Sequence, residues 1–162
     1  MGQQQLLLVI LVTILVGIAT VVAINVFGSA AEEANRDAVQ QDLLMAASGA
    51  QAVYARPTAL GGAGQDFEDI DAGDIMRALN IPGTISNADS DAPIITNENG
   101  VYTLDVSESN ELLIDAEPVS WPQDIQLIVC RSTEDVGGDP VNEWRFDINT
   151  EGDGADVTCS DP

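Results

Sequence analysis

The sequence has no histidine and no lysine. Without histidine, two cysteines are too few N/S ligands to close a structural zinc site. The chain has no Gly-x-Ser-x-Gly and sets no nucleophile beside a base, so an enzyme has no support in its motifs. All five basic residues are arginine (Arg36, Arg56, Arg77, Arg131 and Arg145), against 27 acidic residues, for a net charge of -22. Binding phosphate needs clustered lysine or arginine, so nucleic acid is excluded as a partner. No asparagine stands in an Asn-x-Ser/Thr sequon. A lysine-free, acidic surface repels itself at low salt, and salt screens that repulsion. Such a surface suits a saline habitat; an ordinary acidic secreted protein is the plainer reading.

Residues 1–31 carry no charge, so the whole excess lies on the remainder. Leu6 to Phe27 also lack proline and are apolar all round, interrupted by Thr13, Gly17, Thr20 and Asn25. As a helix this run spans roughly 33 Å, enough to cross a bilayer core. Small residues and threonines such as Thr13, Gly17 and Thr20 let neighbouring helices approach closely. Alternatively, the threonines bond their own helix carbonyls. A secretory signal peptide has a basic n-region and a shorter apolar core. Here the n-region is "MGQQQ", and only "GSA" at 28–30 offers a cleavage site.

The next stretch, "SAAEEANRDAVQQDLLMAASGAQAVYARP", has no turn signal before Pro57 and is rich in helix formers. Val39, Leu43, Ala46, Ala50 and Val53 recur at 4-3-4-3 spacing, which puts them on one helical face. The simplest reading is one helix from about Gln4 to Ala55, roughly 75 Å long. Its first half is apolar and its second amphipathic, and Pro57 ends it. "PTALGGAGQDFED" reads as a flexible glycine-rich connector, because it lacks the Lys-Ser/Thr of a phosphate loop. "DAGDIMRALNIPG" reads as a short helix capped by Asp71 or Asp74, with Ile75, Met76 and Leu79 on its apolar face. "GVYTLDVS", "ELLIDAEPV", "IQLIVCRST", "EWRFDIN" and a short "ADVTC" read as strands. The expectation is an α+β fold, with a sheet of three to five antiparallel strands on the amphipathic half of the helix. Trp121, Trp144, Phe146, Val129 and Leu127 are its core candidates. The implied organisation is an apolar helix half at 1–28, an amphipathic half at 29–56 and a β-rich domain at 57–162.

Cys130 and Cys159 both lie far from the apolar run. If that run is a membrane segment, the domain lies outside the cytoplasm, where disulfides persist. A Cys130–Cys159 bridge closes a loop of about 30 residues, worth roughly 3–4 kcal/mol in the chain-entropy model. Two free buried thiols are the other reading.

A long N-terminal helix, a connecting loop, an antiparallel sheet and a C-terminal cysteine pair resemble the type IV pilin and type II secretion pseudopilin family. The start "MGQQQLLLVILV" is similar to the processed N terminus of that family, a short polar stretch followed by an apolar run. The resemblance implies peptidase processing at a glycine, here Gly2, which would leave Gln3 first, or a mature chain opening at Met1. Where the family carries a glutamate thought to pair with a neighbouring subunit's terminal amine, this chain has Gln5 if Met1 is first and Leu7 if Gln3 is. The family's mid-helix proline is absent, and Gly17 could supply a local break.

The resemblance implies a filament subunit, stored in the inner membrane before assembly and then extracellular at the cell surface. Its partners would be copies of itself and the pilus assembly machinery, and methylation of the terminal amine belongs to the same expectation. The rival is a membrane-anchored extracytoplasmic binding domain that does not polymerise. It predicts a helix that stops near residue 28. No cofactor is expected, with calcium the one ligand to weigh. In "DINTEGDG", Asp147, Asn149, Glu151 and Asp153 alternate like part of a calcium loop, but Thr158 stands where a bidentate glutamate belongs. A solvated acidic turn is the alternative.

Overall fold

The computed structural model describes residues 2–108, 110–132, 135–136, 139–140 and 143–150. The chain divides into two compact units, Met1–Ala34 and Asn35–Pro162, each described by itself below. One helix, α1 (Gly2–Ala55), contributes residues to both. It is unbroken because no proline precedes Pro57 and its residues are mostly good helix formers.

In the second unit, the face read from the sequence is the buried one. Val39, Leu43, Ala46, Ala50 and Val53 are at most 1% exposed. A side chain the size of Leu43 contributes about 1.5–3 kcal/mol on full burial. Gly49 brings the backbones of two helices together, since a Cβ there would lie 2.8 Å from the Ala78 carbonyl oxygen and the Leu79 Cα.

The expected flexible connector is instead a packed cap on the end of α1. The last carbonyls of a helix have no intrahelical donors. Here the chain folds back to supply them: the amides of Ala63, Gln65 and Gly64 donate to the carbonyls of Val53, Tyr54 and Arg56, each at 2.9 Å. Gly61 and Gly64 take left-handed φ values of 72° and 63°, which the tight return requires. Gly62 is buried so closely that a Cβ would collide with the Arg56 carbonyl oxygen and Cβ. Two single 3-10 turns follow, Thr58–Leu60 and Phe67–Asp69, and the second buries Phe67.

Helix α2 (Ala72–Ala78) is capped by Asp71, whose carboxylate accepts from the Gly73 amide at 2.9 Å. Asp74 instead pairs with Arg77 at 2.6 Å on the surface. Ile75, Met76 and Leu79 enter the core.

The sheet has six antiparallel strands: β1 (Thr84–Ser86), β2 (Ile94–Thr96), β3 (Gly100–Glu108), β4 (Glu111–Pro118), β5 (Ile125–Ser132) and β8 (Glu143–Asn149), in that spatial order. A small second pair, β6 (Asp135–Val136) and β7 (Asp139–Pro140), lies between β5 and β8 in sequence. The four long strands match the sequence reading. β1 and β2 are additions to it: each has three residues, too few for a period-2 signal. "ADVTC" lies outside the described residues.

Tyr102, Leu104, Leu112, Ile114, Ala116, Leu127 and Val129 form one core with the buried face of α1. The aromatic core candidates fare differently. Leu127 and Val129 are fully buried, but Trp121 and Trp144 are half-buried and Phe146 is 43% exposed. Trp144 and Phe146 sit on β8, a terminal strand of the six-stranded order, where one lateral neighbour is missing among the described residues. The fold is α+β, a long N-terminal helix with its C-terminal half packed on a six-stranded antiparallel sheet.

Candidate functional site

The first unit is a bare apolar helix. The large aliphatic and aromatic side chains from Leu6 to Phe27 are between 47% and 75% exposed, on every side of the helix. Soluble monomers do not leave such a surface in water. The segment is long and apolar enough to cross a membrane. Its hydroxyl side chains turn inward on their own backbone. Thr13 donates to the Ile10 carbonyl and Thr20 to the Val16 carbonyl, both at 2.8 Å. Ser29 does the same toward Val26 at 3.1 Å. These hydroxyls therefore need no partner from lipid or from another helix. A Cβ at Gly17 or Gly28 would meet nothing within 4 Å. Gly2, Gln3 and Gln5 are exposed and lie within the first turns of α1.

The second unit is fastened to its part of α1 by a polar clasp that the sequence reading missed. Asp42 lies inside the apolar stripe and is only 5% exposed. Its Oδ2 accepts three hydrogen bonds: from the Tyr102 hydroxyl at 2.7 Å, Asn99 Nδ2 at 2.9 Å and Asn97 Nδ2 at 3.1 Å. Burial and the adjacent Asp42 carboxylate push the Tyr102 phenol well above its ordinary range. Asn97 shapes the β2–β3 turn, its Oδ1 accepting from the amides of Asn99 at 2.8 Å and Gly100 at 3.0 Å. Two turns of helix earlier, Asn35 donates to the Asn99 carbonyl and accepts from the Ser120 amide, both at 2.9 Å. Beside it the Arg36 guanidinium lies 5.3 Å from the centre of the Trp121 ring and donates to Thr150 Oγ1 at 3.1 Å. The signal in the sequence is an acid standing in a helical core stripe, three residues after Val39 and beside Leu43.

At the far end of this helix segment, Tyr54 packs between Phe67 and Trp144, with ring centroids 5.0 and 5.1 Å away. The Arg131 guanidinium lies 5.5 Å from the Tyr54 ring centre. On the other face of the sheet, Asp115 is held above the usual carboxylate range, by burial first and then by the charges of Asp124 and Glu117.

Cys130 lies on β5 and is disulfide-bonded; Cys159 lies outside the described residues. Of the calcium candidates, Asp147 and Asn149 lie in β8, opposite Ile128 and Gln126 of β5. Glu151 and Asp153 lie outside the described residues. Among the described residues, no group of three or more His, Cys, Asp or Glu side chains converges on a common point.

The fold and this surface define an α+β chain with a membrane-competent N-terminal helix. Comparison with protein-family models, with curated proteins and with solved structures finds no match.

Proposed function

We propose that this chain is the pilin-like structural subunit of a helical filament at the cell surface. The observation that carries this reading is α1 itself. It runs from Gly2 to Ala55 as one helix, its residues 6–27 are apolar and exposed on every side, and its later residues are built into a folded domain. A plain anchor has no need of a helix that continues through the domain's core. The apolar segment is held in the membrane before assembly and then packs with the same segment of other copies, and the acidic domains form the outer shell. Repeated head-to-tail contact of one surface with another gives an open polymer. The role is structural, not enzymatic.

Negative-stain imaging of surface filaments, with peptide masses from the purified fibres, tests this. The expected result is fibres composed of this chain. Its presence in membranes but in no fibre overturns the reading. Intact mass of the native protein shows in the same material whether Met1–Gly2 are removed and whether the new amine is methylated.

A further inference from the structure

We infer that the face of α1 turned away from the sheet, between residues 41 and 55, is a second assembly surface that receives another copy of this chain. The inference rests on the filament reading and adds a contact outside the apolar segment.

The exposed residues here are Gln41, Leu44, Met45, Ser48, Ala52 and Ala55, at the spacing of one helix face. None is charged. Between Asp37 and Arg56 the only acid is Asp42, and it is consumed in the clasp. About a quarter of the residues from Glu32 onward are charged. The solvated side of a helix in such a chain would be expected to carry its share. Instead Leu44 is 57% exposed and Met45 44% exposed.

The charge pattern also selects the occupant. Two copies at -22 each repel wherever their acids face one another. A charge-free strip is where like-charged chains can meet without that cost. The small residues Ser48, Ala52 and Ala55 allow a close approach of backbones. A basic partner would gain nothing from this strip and would choose the acidic surface. A lipid surface would call for a basic polar flank along the strip, and residues 41–55 carry neither lysine nor arginine.

The test uses the full chain in its native membrane, with single cysteines introduced at three places. Met45→Cys probes the strip, Val16→Cys the apolar segment, and Glu117→Cys the exposed acidic sheet. No described cysteine is free to compete. Mild oxidation should give Met45→Cys covalent homodimers at about tenfold the yield of Glu117→Cys. If Val16→Cys couples and Met45→Cys does not exceed Glu117→Cys, the strip is not an interface and the filament reading stands. If Met45→Cys couples and Val16→Cys does not, the strip is confirmed and the filament reading fails. If neither couples, both fail. Coupling of Met45→Cys to a different protein overturns the inference as well. The paired change Leu44→Glu and Met45→Glu touches only exposed positions, so the domain keeps its fold. It should cut Val16→Cys dimers about tenfold; undiminished dimers would refute the second surface.

Discussion

The Asp42 clasp makes the sharpest quantitative demand on this structure. Asp42→Ala removes the acceptor of three hydrogen bonds at once. The Tyr102 hydroxyl is the main casualty, because Tyr102 is fully buried and no water can reach it. A buried donor left without an acceptor costs about 1–3 kcal/mol. Asn97 keeps its second acceptor, the Pro82 carbonyl at 2.9 Å, and Asn99 is only partly buried, so water can replace part of what it loses. The expected loss is about 2–4 kcal/mol in total, part of the gross effect being offset because a buried carboxylate is no longer desolvated. Tyr102→Phe alone should cost about 1–2 kcal/mol, since Asp42 then retains two amide donors. In the Asp42→Ala background the same change deletes a stranded hydroxyl, so it should be neutral or stabilising. The coupling between the two positions should be about 1–3 kcal/mol. Urea unfolding of the full chain in mild detergent, followed by tryptophan fluorescence, measures all four proteins. Equal costs for Tyr102→Phe in both backgrounds would refute the clasp as the fastening of helix to sheet.

Alkali should act through the same tyrosine. Its folded-state pKa lies above the ordinary 10.0, so its contribution is complete below pH 10 and fades as pH rises beyond it. Stability should fall by up to about 1.4 kcal/mol per pH unit there, and Tyr102→Phe should flatten that limb of a pH titration of the unfolding midpoint. Asp115 has the opposite consequence: its charged form is disfavoured in the fold, so Asp115→Asn should raise the urea midpoint at neutral pH. The gain should stay under about 1 kcal/mol because the site is partly solvated, and should shrink in acid as the native carboxyl takes up its proton. Gly49→Ala should destabilise by about 1–3 kcal/mol despite alanine's better helix propensity, because the new Cβ presses on the Ala78–Leu79 backbone. Gly28→Ala, with nothing in reach, should raise helix content by circular dichroism without loss. Raising sodium chloride from low to molar concentration should lift the melting temperature of the acidic domain, and a flat salt response would contradict repulsion among its carboxylates.

Long, regular patterns are legible in the amino-acid order. The apolar run has one composition over its whole length, and the Val39–Val53 stripe repeats at helical spacing. The four long strands are apolar stretches with marked turns between them, and the first of them, β3, alternates. These signals are local, so one chain suffices to read them. The role of Asp42 is hidden because its donors lie far along the chain: its contacts to Asn97, Asn99 and Tyr102 span 55, 57 and 60 residues. The glycine-rich connector misleads for a related reason. Glycine permits both a loose linker and a tight return, and only the orphan carbonyls of α1 decide between them.

The sequence by itself determined that the N-terminal segment is apolar on every side, that it continues as helix to the proline, and that one face of its later half belongs to a core. Those properties follow from composition and period. The tertiary structure alone decided which acid is buried, which aromatic residues are left at the sheet's edge, and which side of the helix remains uncovered and uncharged. Each of these depends on what stands opposite a residue in space, and that opposition is set by long-range pairing.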